Sequence, residues 1–152
     1  PHRQELVRKL FGVNFINDSK ATNFDATERA LSSFKSIYWI AGGLSKNDRI
    51  TDSFFKKLEN VEHAFFIGSS ENEFFDFFKD TTPCTKCSNL EIAVKRAASA
   101  ACSEKKENAV VLLSPAAASF DQFESYEARG EQFKSIVGSL NLEKFSNLEI
   151  TP

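Results

Sequence analysis

Apolar runs of strand length alternate with amphipathic segments of helix length along almost the whole chain, and that order admits few folds. IYWIAGG, HAFFIG and AVVLL read as buried strands, and a short strand is expected near TPCTKC. Between them ITDSFFKKLEN and NEFFDFFKD have the length and pattern of helices. A longer helix follows in which Leu90, Val94, Ala97 and Ala101 share a face. The alternation predicts an α/β fold: a Rossmann-like, mainly parallel sheet with helices on both faces. Only the front departs from it. ELVRKLF and VNFIN flank Gly12, so a tight hairpin is expected there and at least one strand should be antiparallel.

Helix starts are read from capping boxes. In FDATERALSSF, Ala26, Ala30, Leu31 and Phe34 fall on one face, with Thr22 and Asp25 spaced as the box. Ser88 with Glu91 carries the same signal for the long helix, and Ser119 with Gln122 for the last helical region. That region runs through Phe133 and Val137, with Gly130 expected to weaken or divide it. The tail from about Asn141 is expected to be partly ordered.

At 152 residues, with 41% hydrophobic and 26% charged, the chain suits a single domain, 1–152, and no repeat or linker interrupts it. Sixteen Phe against two Tyr and one Trp place most aromatic rings where no hydrogen-bond partner is required, which is the core. A net charge of −2, with the signs interspersed, argues against nucleic acid as a partner. No apolar run approaches the ~20 residues of a membrane span. PHRQELVRK has no signal-peptide pattern, so a cytoplasmic protein without membrane insertion is expected. Cys84 and Cys87 form a CxxC, but no second pair accompanies it, and the two read as incidental thiols with no metal.

In such sheets the ligand crevice lies beyond the carboxyl ends of the strands. Three loops there carry chemistry: Asn17-Asp18-Ser19-Lys20-Ala21-Thr22-Asn23, Gly42-Gly43-Leu44-Ser45-Lys46, and Ser114 to Phe123. The first sets an ammonium and two hydroxyls before a helix N-terminus, where anions are favoured. Two glycines in the second allow close backbone approach, and Lys46 adds a mobile positive charge. The third offers Ser119 above small alanines. A serine hydrolase is rejected because neither histidine lies near Ser119. No GxGxxG or GxxxxGK[ST] occurs, so ATP chemistry would need another segment.

Taken together these loops resemble the C-terminal domain of the Mur ligases, the cell-wall enzymes that add amino acids to a UDP-linked muramoyl precursor. The resemblance rests on Pro1-His2-Arg3, NDSKATN from Asn17 to Asn23, Gly42-Gly43 with Lys46, Leu112-Leu113-Ser114-Pro115, Ser119, Asp121-Gln122-Phe123 and Arg129-Gly130, in family order. NDSKATN is similar to the members that add D-glutamate, whereas members adding other residues carry a tyrosine and histidine at that strand end. Tyr126 stands where Phe is expected and Ala117 where Cys is common.

The resemblance implies a third domain of a three-domain, ATP-dependent peptide-bond-forming ligase of peptidoglycan biosynthesis, inactive alone and monomeric. ATP and Mg2+ would be bound mainly by a central domain, and UDP-N-acetylmuramoyl-L-alanine with the help of an N-terminal one. ATP would phosphorylate the alanine carboxylate, and the D-glutamate amine would attack the acyl phosphate. It further implies that Lys20 stands beside the reacting phosphate as the catalytic residue. Arg3 and Asp18 would contact the nucleotide, Arg3 near the phosphates and Asp18 at ribose hydroxyls. Thr22, Lys46, Ser119 and the backbone amide of Tyr126 would hold the two carboxylates of D-glutamate. Two other classes compete: a receiver-like binding module with Asp18 as phosphoacceptor, which lacks the clustered carboxylates for Mg2+, and a dinucleotide dehydrogenase domain, which lacks the glycine fingerprint.

Overall fold

Phe11 and Gly12 stand at φ 53° and 78°, the paired left-handed geometry of a two-residue hairpin turn. In the computed structural model, which describes residues 1–141, this turn joins β1 (Glu5–Leu10) to β2 (Val13–Asn17) as an antiparallel pair. From there the chain alternates: α1 (Phe24–Ser33), β3 (Ser36–Gly42), α2 (Asp52–Lys57) with a 3-10 turn to Asn60, β4 (Val61–Ile67), α3 (Glu71–Phe78), β5 (Cys84–Ser88), α4 (Leu90–Glu104), β6 (Ala109–Leu113) and α5 (Tyr126–Ser139). The expectation of a partly ordered tail concerns 142–152, outside the described residues.

The sheet order is β1-β2-β6-β3-β4-β5, and every pairing except β1 with β2 is parallel. Because successive strand side chains point to opposite faces, Tyr38 and Ile40 join one core with α4 and α5, while Ile37, Trp39 and Ala41 join the other with α1, α2 and α3. This is why the strands read as continuous apolar runs. The second core is aromatic: Phe54, Phe66 and Phe78 pack on Trp39, with Trp39–Phe66 at 5.6 Å and Trp39–Phe78 at 5.5 Å, both edge to face, and Phe24 and Phe74 pack against those phenylalanines. The Trp39 indole N–H donates to the Ser114 carbonyl at 2.8 Å, so the one ring that needs a partner has it.

Three helix starts differ from the capping boxes in the sequence. Asn23, not Thr22, caps α1: its backbone is extended, and its side chain accepts from the Ala26 amide at 2.8 Å. Asn89, not Ser88, caps α4, accepting from the Ile92 amide at 3.0 Å. Ser88 stands at φ 67°, outside the extended backbone that a cap requires. Ser119 heads a turn, its carbonyl accepting from the amides of Gln122 and Phe123, and α5 begins only at Tyr126 with Ser125 as cap. In each case a neighbouring residue with the right backbone angles takes the role. Asn89→Ala is therefore expected to cost about 1 kcal/mol in chemical denaturation, and Ser88→Ala only a few tenths.

Gly130 does not divide α5, which is unbroken from Tyr126 to Ser139. A Cβ at this position would lie 2.2 Å from Nδ1 of His2, so the glycine makes room for the imidazole. The CxxC is split by the sheet: Cys84 packs against the aromatic core, whereas Cys87 belongs to the other. Burial pushes both thiols up to about 11, away from the thiolate that redox chemistry requires.

Candidate functional site

Strand register brings the three sequence-marked loops to one end of the sheet. Asn17 pairs with Leu113, and Leu113 with Ile40, so the loops after β2, β6 and β3 leave side by side. After β3 the chain turns to α2 on one face, and after β6 to α5 on the other. Adjacent strands departing to opposite faces open the crevice in which α/β sheets bind ligands.

Within the first loop, Asn17, Asp18 and Ser19 are buried and Lys20 is exposed. Asp18 is only 4% exposed. One carboxylate oxygen accepts from the Ser114 hydroxyl at 2.7 Å and the other from the Gln4 amide at 3.1 Å. Burial pushes its pKa above the ordinary carboxylate value, opposed by those two hydrogen bonds and by the positive charge of Arg3. The Ser114 hydroxyl also lies 3.0 Å from the Thr27 hydroxyl, which donates to the Ser114 carbonyl at 3.3 Å, and this ties the first and third loops to the body of α1.

The second loop is held by two features. Leu44 and Ala118 exchange both backbone hydrogen bonds, at 2.8 and 3.0 Å, joining it to the third loop. Asp48 accepts from the Phe24 amide at 2.9 Å, joining it to the start of α1. Between these ties the Lys46 ammonium donates to the Thr22 hydroxyl at 3.1 Å. The capping role taken by Asn23 is what leaves that hydroxyl available.

On the third loop Ser119 is buried, and its hydroxyl makes no hydrogen bond among the described residues. The Tyr126 amide stands in the first turn of α5, one of the donors a helix leaves without an internal acceptor. The Tyr126 carbonyl accepts from the Ser19 hydroxyl at 2.7 Å. Lys20 makes no ion pair among the described residues, and its amide is fixed by the His2 carbonyl at 3.0 Å. The result is a crevice rim with two ammonium groups, two hydroxyls and a helix N-terminus, chemistry suited to a ligand with more than one negative group.

Comparison with known proteins decides what family this rim belongs to. No family model matches the chain. UDP-N-acetylmuramoylalanine–D-glutamate ligase of Rhodospirillum rubrum is 46% identical over 140 residues, which is 92% of this chain and 29% of the relative. The ligase of the same name from Paramagnetospirillum magneticum is 46% identical over 136 residues, and that of a Caulobacter species 45% over 139. The chain belongs to this ligase family.

It spans about 30% of the length of the D-glutamate ligases it matches, and corresponds to a C-terminal part of them. The fold is found as well in UDP-N-acetylmuramate-alanine ligase MurC of Thermotoga maritima, with a TM-score of 0.54 and 14% identity over 91% of this chain and 30% of that one. The Rossmann-like sheet with one antiparallel strand is thereby the expected architecture of a Mur ligase. Membership in the D-glutamate ligase family sets aside the receiver-like and dehydrogenase readings.

Thr22 and Lys46 are brought into contact, and Ser119 lies on the adjoining loop, which leads to Tyr126 at the start of α5. Arg3 is exposed on the Asp18 side, whereas Asp18 itself is turned inward. Sequence alone assigned no role to Arg129, His2 or Asn17. Asn17 bridges the His2 ring at 2.9 Å and Glu5 at 3.0 Å, and its side-chain oxygen accepts from the Ser19 amide at 3.1 Å. Glu5 is held down at about 2, chiefly by the His2 amide, with Lys134 and Asn17 adding to it against burial. The order Pro1-His2-Arg3 and the pair Arg129-Gly130 were the available signals, but neither states which loop its side chains meet.

Proposed function

We propose that this chain supplies the amino-acid-binding surface of an ATP-dependent ligase joining D-glutamate to the alanine carboxyl of UDP-N-acetylmuramoyl-L-alanine, and that it is inactive alone. The observation that carries the reading is the gathering, at one sheet end, of donors that the fold itself leaves available: Lys20, Lys46 with Thr22, Ser119 and the Tyr126 amide. A dicarboxylate needs two anion sites at a fixed separation. Lys46 with Thr22 makes one, Ser119 with the start of α5 makes the other, and the Leu44–Ala118 bridge holds the two loops together.

In this reading Lys20 neutralises charge on the phosphate that leaves when the amine attacks the acyl phosphate, and Arg3 meets the nucleotide phosphates. A carboxylate has about four acceptor positions, so Asp18 reaches ribose hydroxyls through those that Ser114 and Gln4 leave open. ATP supplies the activating phosphoryl group. Mg2+ in this reading is held mainly by the central domain of the full-length ligase. A monomer working in the cytoplasm fits these roles, and among the described residues no helix is long and apolar enough to cross a membrane.

Titrating the isotope-labelled chain with each enantiomer of glutamate tests the reading. Saturable NMR shifts of the amides of Thr22, Lys46, Ser119 and Tyr126 are expected with D-glutamate alone. Equal shifts with the L-enantiomer, or shifts elsewhere on the sheet, would count against it.

A further inference from the structure

The three loops converge on one almost fully buried side chain. Arg129, on the second turn of α5, is 1% exposed. Its Nε donates to the Ser19 hydroxyl at 2.9 Å and one terminal nitrogen to the Ser19 carbonyl at 2.7 Å. The other terminal nitrogen donates to the Ala117 carbonyl at 3.0 Å. The same nitrogen would lie 3.4 Å from a Cβ at Gly43, so the second loop passes close to that end of the guanidinium. Ser19 relays the contact: its hydroxyl accepts from Arg129 and donates to the Tyr126 carbonyl at the start of α5.

Burying an unpaired charge is costly. Arg129 forms no ion pair among the described residues. Burial draws it down to about 10, opposed by the more distant Asp121, so it stays cationic at neutral pH. Packing alone would favour an apolar residue here. What an arginine adds is a rigid planar fork whose donors fix acceptors in different directions.

We propose that Arg129 is a positioning residue for the amino-acid site: its guanidinium sets the spacing between the Lys20–Thr22 loop, the Gly43–Lys46 loop and Ser119. This rests on the reading of those loops as the D-glutamate site. A lysine keeps the charge at Arg129 but has a single nitrogen, which cannot meet Ser19 and Ala117 with the same geometry.

The test uses the full-length ligase carrying Arg129→Lys, with Lys46→Ala as a parallel arm. Arg129→Lys is expected to raise the Michaelis constant for D-glutamate by about tenfold or more, the effect of losing one charge-assisted hydrogen bond. The constant for the UDP-linked substrate should stay within about twofold, since uniform misfolding lowers kcat alone. Where Arg129→Lys yields no folded enzyme, Ser19→Ala removes only the relaying hydroxyl and should raise the D-glutamate constant by about threefold or more. An unchanged D-glutamate constant in whichever variant folds, alongside a raised one in Lys46→Ala, overturns the proposal and leaves the site intact. Unchanged constants in all arms overturn the site itself.

Discussion

Lys46→Ala in the full-length ligase is expected to raise the Michaelis constant for D-glutamate by ten- to a hundredfold, and Ser119→Ala by a similar factor. In the proposed site each would remove a hydrogen bond to a carboxylate, which contributes about 1.5–3 kcal/mol, and each 1.4 kcal/mol is about a tenfold change. Neither residue is needed by the fold. Lys46 is exposed and among the described residues its ammonium hydrogen-bonds only to Thr22, and the Ser119 hydroxyl makes no hydrogen bond among them, so thermal stability should hold while affinity falls. Steady-state kinetics with varied D-glutamate checks this. A wild-type constant in both variants would remove these loops from the substrate site.

Gly42→Ala should be among the most destabilising single substitutions in the chain. Gly42 stands at φ 120°, and a Cβ would lie 2.1 Å from the Ile67 carbonyl oxygen and 2.9 Å from the Ile67 nitrogen. Those are backbone atoms of β4, held opposite Gly42 by the parallel ladder, so neither strand can move aside without breaking pairings. Strain from the backbone angle and overpacking together cost about 3 kcal/mol or more, which lowers the thermal midpoint by about 10 °C. Gly12→Ala makes the control. Its φ of 78° is also left-handed but no atom lies within 4 Å of the added Cβ, so only the conformational cost, about 1 kcal/mol, is expected. Equal midpoints for the two variants would show that the contact with Ile67 is not the cause.

The three loops were legible because their chemistry is local. A strand end, a helix start and a cluster of short polar residues are adjacent in sequence, and the resemblance to the Mur ligases came from the same stretches. Capping was less legible. Thr22, Ser88 and Ser119 have the right side chains for caps, but the backbone angles that select Asn23, Asn89 and Ser125 depend on how each loop is anchored elsewhere. That shift by one or several residues matters to the site, because it leaves the hydroxyls of Thr22 and Ser119 without a structural duty.

Asp18 and Arg129 show the remaining gap. In the sequence one is a carboxylate in a polar loop and the other a cation inside an amphipathic helix, and both would ordinarily face water. In the fold Asp18 turns inward to Ser114 and Gln4, and Arg129 lies beneath all three loops. By itself the sequence determined the α/β order, the entering hairpin and which loops carry cationic and hydroxyl groups, since apolar periodicity and turn residues act over a few neighbours. Only the tertiary structure decided which polar groups are consumed in holding those loops and which remain for a ligand. That division depends on partners about a hundred residues apart, such as Ser19 with Arg129 and Asp18 with Ser114, brought within hydrogen-bonding distance by the strand order of the sheet.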